Sequence, residues 1–176
     1  MLGALLFSVI LAIGWLTVRS MNREKGRRDR AEAIKARVRE RHGAADLFVS
    51  REDGSFVGLS ADGDRIIVGK TDDWQTFPVS DLLAVEGVRD GVVLIRAEPD
   101  GDPVTAAPVA EQGVADVPER IRALGLRLTI GAQVFEVLFF DGGRHGISPL
   151  NEAFRKQAVR AEAWHRKLST AMRLAR

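Results

Sequence analysis

Gly69-Lys70-Thr71 is the ending of a P-loop, whose glycine-rich backbone cradles phosphates while the lysine reaches them. That pattern needs a glycine at position 64, where this chain has Asp64, with Gly63 one place early. It also needs a helix to follow, and Asp72-Asp73-Trp74-Gln75-Thr76-Phe77-Pro78 does not read as one. Asp62-Gly63-Asp64 starts like a calcium loop but lacks the further oxygen ligands and the closing glutamate roughly twelve positions along. An Asp-Gly pair between β-rich runs is instead a hairpin turn. His42, His145 and His165 have no histidine partner at i,i+4 spacing, so they do not form a zinc-binding pattern. No serine stands in a nucleophile elbow, and the chain has no cysteine. These residues predict a protein that is not an enzyme and that uses no cofactor and no metal.

The elements around these motifs begin with an uncharged apolar run over residues 2–18, followed at once by Arg19, Arg23, Lys25, Arg27, Arg28 and Arg30. Seventeen residues at about 1.5 Å each cover roughly 26 Å, against a hydrocarbon core of about 30 Å. Trp15 at the interface and a snorkelling Arg19 would make up the difference. The pattern predicts a transmembrane anchor over residues 1–19 of a single-pass bacterial inner-membrane protein. Its N-terminus would lie outside, its bulk in the cytoplasm, and anionic lipids would meet the basic flank. A cleaved signal peptide would carry its charge ahead of the apolar run and end in a small-x-small site; here the exit reads Trp15-Leu16-Thr17-Val18-Arg19-Ser20. Ala4, Ser8 and Ala12, four apart, are a stripe through which a second copy could approach.

Charge is divided into blocks. Residues 19–45 hold ten Lys/Arg and four Asp/Glu, residues 46–149 nine and eighteen, and residues 150–176 seven and two, within a formal net charge of +2. Because the first basic block sits beside the apolar run, the charge points to a membrane surface and not to nucleic acid. Residues 20–45 read as a basic helical stalk, with a helix over residues 22–41 that ends before Gly43. Its apolar stripe, Ala31, Ile34 and Val38, is too thin to be expected against a core.

From Leu47 the periodicity becomes strand-like, with Asp53-Gly54, Asp62-Gly63 and Asp90-Gly91 splitting short apolar runs. Residues 98–119 read as a long loop. Leu124, Leu126, Leu128 and Ile130 alternate with Gly125, Arg127 and Thr129, and residues 133–140 pair with them across Gly131-Ala132. This predicts about seven strands in meander order, in a bent sheet or barrel. Ser148 as N-cap and Pro149 at N1 then open a final helix. Leu150, Phe154, Ala158, Ala161, Trp164, Leu168, Met172 and Ala175 form its apolar stripe, with Trp164 near the centre.

Such an arrangement, strands followed by one long helix, resembles the bacterial branch of the pleckstrin-homology (PH) superfold. Residues Phe77-Pro78-Val79-Ser80-Asp81-Leu82-Leu83-Ala84-Val85-Glu86 look like the arginine-x-Ile/Val-Pro-x-x-x-Ile-x-x-Val pattern of those domains, without a basic residue ahead of Phe77. Ala161-Glu162-Ala163-Trp164-His165 is similar to their capping helix, and the resemblance covers residues 47–174. It implies an α+β, mainly antiparallel PH-like domain over residues 46–176, capped by its C-terminal helix. In eukaryotic PH domains, lipid head-group binding uses several Lys/Arg at the first hairpin; here Ser50-Arg51-Glu52-Asp53-Gly54-Ser55 has one arginine against two acids.

The function expected from these features is a non-catalytic module at the cytoplasmic face of the membrane, engaging a membrane or cytoplasmic protein partner. A phage or prophage protein that blocks superinfection is one form of it. The alternative is a sensor that binds lipid or an acidic ligand through the last helix, with Phe154, Ala161, Trp164, Leu168 and Met172 as its contact or capping residues.

Overall fold

A computed structural model describes residues 2–101 and 120–176. Most of the expected loop over residues 98–119, and the side chains of Ala4, Ser8 and Ala12, lie outside the described residues. The first element is one unbroken helix, α1 (Leu2–His42). No proline interrupts it, and ion pairs of Glu24 with Arg28 and of Glu32 with Lys35 support its middle. It ends at Gly43, whose φ of 56° lets its N–H donate to the Arg39 carbonyl at 2.9 Å. Side chains other than glycine rarely take that conformation, and the helix stops where the sequence places its stop.

The expected membrane anchor is corrected. Among the described residues, no helix is long and apolar enough to cross a membrane. α1 has the length, but its uncharged run ends at Val18, and Arg19, Arg23, Lys25, Arg27, Arg28 and Arg30 make the next turns polar. The inner-membrane placement and its orientation fall with the anchor.

Among the described residues, eight strands come after α1, one more than expected. β1 (Ala44–Val49), β2 (Ser55–Ser60), β3 (Arg65–Lys70) and β4 (Asp73–Pro78) form one antiparallel sheet in that order. β5 (Leu82–Arg89), β6 (Val92–Ala97), β7 (Ala123–Ile130) and β8 (Gln133–Asp141) form a second, ordered β6-β5-β7-β8. The additional strand is β4, whose Trp74-Gln75-Thr76-Phe77 has no apolar–polar alternation and is flanked by Asp72-Asp73 before it and Pro78 at its end. Pro78 is tolerated because β4 pairs only with β3, at the sheet edge. Nor is the order a full meander, since β5 pairs with both β6 and β7.

Among the described residues, no closed barrel forms. A 3₁₀ turn, Val79–Asp81, ends β4 and delivers β5 to the other sheet, so these consecutive strands do not pair. At the β5–β6 hairpin, Asp90 and Gly91 both have positive φ, 52° and 83°, the two-residue turn that Asp-Gly foretells.

Strand alternation sets the layers. In β2 and β3, Val57, Ile66 and Val68 join the main core with the second sheet and the last helix, α2 (Glu152–Leu174). Phe56 and Ile67 point the other way and pack with Ala31, Ile34 and Val38 of α1. All three of those α1 side chains are buried, against the expectation that so thin a stripe would stay in solvent. A narrow stripe suffices here because the sheet opposite contributes the larger apolar surface, from Val49, Phe56, Ile67 and Trp74.

α2 starts one turn later than expected. Ser148 and Pro149 belong to a turn closed by the Asn151 N–H on the Ser148 carbonyl, and Leu150 is exposed. Asn151 is the N-cap: its Oδ1 accepts from the N–H of Ala153 and of Phe154, at 2.9 and 3.4 Å. Phe154, Ala161, Leu168 and Met172 are buried in the main core. Trp164 is half-buried at its margin, its ring 5.2 Å from the Lys167 ammonium.

Candidate interaction site

The motifs with chemical potential resolve into turns and packing. Gly69 and Lys70 end β3, Thr71 lies in the hairpin turn to β4, and Lys70 pairs with Asp53 at 2.9 Å. Asp62-Gly63-Asp64 turns between β2 and β3, with the Ser60 hydroxyl donating to Asp64 at 2.9 Å. Among the described residues, no three His, Asp or Glu gather as a metal site. His42 Nε2 accepts from the Trp74 indole at 3.1 Å, which ties the end of α1 to β4.

α1, the β1–β2 turn, β8 and the first turns of α2 meet at an open groove of about 540 Å³. Phe48 and Phe139 stack at 3.8 Å and nearly parallel along it, bringing the two sheets together. Arg23, Arg27, Arg51 and Arg160 line it. Arg27 pairs with Glu52 at 2.5 Å, and Glu24 is taken by Arg28. Arg23, Arg51 and Arg160 form no ion pair among the described residues, so the groove keeps a net positive lining. Gln157 also lines it, and its Oε1 is buried without a hydrogen-bond partner among the described residues. A buried acceptor left unpaired costs about 1–3 kcal/mol, so a native instance calls for an explanation.

Of the basic residues singled out in the sequence, Arg23 and Arg27 therefore join the groove, and Arg28 is paired along α1. Lys25 and Arg30 are exposed on α1, while the Arg19 guanidinium lies 4.9 Å from the exposed Trp15 ring. In the sequence Arg51 reads only as the lone arginine of the first hairpin, and Arg160 carries no signal of a site. Each is there an ordinary surface arginine, and only the approach of α2 to the β1–β2 turn brings them together.

A second feature appears only through strand register. Arg96, Glu86, Arg127 and Glu136 stand side by side across β6, β5, β7 and β8. Glu86, 6 % exposed, lies 2.8 Å from Arg96 and 3.7 Å from Arg127, which reaches Glu136 at 3.0 Å. Arg96 also holds Glu98 at 2.6 Å. These charges satisfy one another, so the ladder fixes register and offers no free group to a ligand.

His165 fills an inward place on α2, with Nε2 3.1 Å from the Val85 carbonyl. Burial holds its pKa below the ordinary 6.5, outweighing the Val85 carbonyl and Glu162, which favour the charged form. Above that ordinary value the imidazole is neutral both folded and unfolded, and its contribution to stability is complete. As pH falls through it, the unfolded chain binds the proton more readily, so this contribution is lost. Urea midpoints between pH 7.5 and 5.5 should fall more steeply for the native chain than for His165→Gln. Equal slopes would show that His165 does not contribute.

No family model, curated protein or solved structure matches the chain.

Proposed function

We propose that this protein is a non-catalytic interaction module of PH-like architecture that engages a protein partner through the groove between α1 and α2. Two antiparallel sheets followed by a long helix support the architecture; the eighth strand and the β6-β5-β7-β8 order depart from the expected pattern. The observation that carries the interaction role is the groove itself. Three arginines from separate elements converge there without ion-pair partners among the described residues, beside a buried amide oxygen with no donor among them. Against a sensor that binds a lipid surface through α2 stands the burial of Phe154, Ala161, Leu168 and Met172 inside the core.

Copurification with the tagged full chain tests the role, with an Arg51→Ala, Arg160→Ala variant beside it. One partner should be recovered in stoichiometric yield with the native chain and lost from the variant. Recovery of none, or equal recovery by both, would overturn the reading.

A further inference from the structure

We infer that the groove recognises an acidic, extended peptide segment; this rests on the interaction-module reading and names the partner's chemistry. Arg23 is presented by α1, Arg51 by the turn between β1 and β2, and Arg160 by α2. Charges on separate elements suit a ligand whose carboxylates are spaced along a chain. Each guanidinium offers a planar fork that matches a carboxylate. Glu24 and Glu52 do not cancel this lining, because each is already held by an arginine, Arg28 and Arg27 respectively.

The Gln157 oxygen distinguishes a peptide from a simple anion. Closed from water as it stands, it meets a donor only by turning toward the groove. A peptide backbone N–H is such a donor, while a fully ionised phosphate or sulfate is not. The stacked Phe48 and Phe139 rings add an apolar surface to the same groove, and Phe48 is only partly buried. An apolar side chain between acidic residues would rest there. The segment therefore has carboxylates for the arginines, backbone N–H for Gln157 and one apolar residue for Phe48.

The test uses the full chain and a fluorescein-labelled heptapeptide, Glu-Asp-Glu-Leu-Glu-Asp-Glu, read by anisotropy. Binding should weaken as NaCl rises from about 0.05 to about 0.5 M, because these charges are screened by salt. Arg51→Gln with Arg160→Gln should weaken it about tenfold, corresponding to about 1.4 kcal/mol. Gln157→Glu should weaken it at least as much, by replacing the free acceptor with a repelling charge. Arg144→Gln removes one positive charge from an exposed turn outside the groove and should change nothing. All four substituted positions are exposed or half-buried, and unchanged melting curves will confirm that each variant is folded.

Equal binding of the uncharged heptapeptide Gln-Asn-Gln-Leu-Gln-Asn-Gln would overturn the proposal. So would indifference to the arginine and Gln157 variants, or displacement of the acidic peptide by micromolar tripolyphosphate, which would mark a phosphate site. If the peptide fails while copurification still depends on Arg51 and Arg160, acidic recognition is wrong and the module reading stands. Loss of that dependence removes the module reading itself.

Discussion

Phe56→Ala is expected to remove about 3–5 kcal/mol of folding stability, the usual cost of truncating a buried phenylalanine. Phe56 is fully buried on the face of β2 that meets α1, with the Trp74 ring edge-on at 6.0 Å. Ile34 and Val38 pack with it from the helix, whose end is tied to β4 by the His42–Trp74 hydrogen bond, which limits their collapse into the space. A domain has roughly 5–15 kcal/mol in all, so the urea midpoint should move far down. Because Phe56 and Ile34 belong to one cluster, Phe56→Ala with Ile34→Ala should cost less than the sum of the single changes. A midpoint unchanged by either substitution would show that α1 does not pack on the first sheet. A fragment of residues 45–176 should likewise be less stable than the full chain, since it exposes Phe56, Ile67 and Trp74 together.

The second large effect is at Leu168, fully buried where α2 enters the main core between the sheets. Leu168→Ala should cost about 2–5 kcal/mol through lost burial and a residual cavity. Trp164→Ala should cost less, under about 2 kcal/mol, although tryptophan is the larger side chain. Its ring lies at the margin of the core beside Lys167, so solvent already reaches it and its removal leaves no enclosed void. Thermal unfolding followed by circular dichroism ranks the two. A greater loss from Trp164→Ala would place the tryptophan, not Leu168, at the centre of the helix contact.

Trp164 and Leu168 share one helical stripe in the sequence, and size favours tryptophan as the anchor. The rotation of α2 on the sheets depends on which side chains interlock, and that placed His165 inward and Trp164 at the edge. Likewise, Ala31, Ile34 and Val38 are spaced as one helix face, yet their burial depends on Phe56 and Ile67 across a sheet that local pattern cannot locate. The apolar run over residues 2–18 misleads for a different reason. Its flanking charges argue for a span, while among the described residues no helix is long and apolar enough to be one.

Local chemistry is sufficient for whatever depends on neighbours in the chain. The stop of α1 at Gly43, the hairpin at Asp90-Gly91, the alternation of β7 and the helical stripe of α2 all come from backbone freedom and residue period. The failure of Gly69-Lys70-Thr71 to make a P-loop is legible from spacing alone. Tertiary structure decided everything that depends on pairing at a distance. It inserted β4, ordered the second sheet around β5, and set Glu86 between Arg96 and Arg127. It also drew Arg23, Arg51 and Arg160 to one groove. Strand register and helix docking are chosen by the sum of many weak contacts between residues far apart in sequence, and no single residue or short run carries that sum.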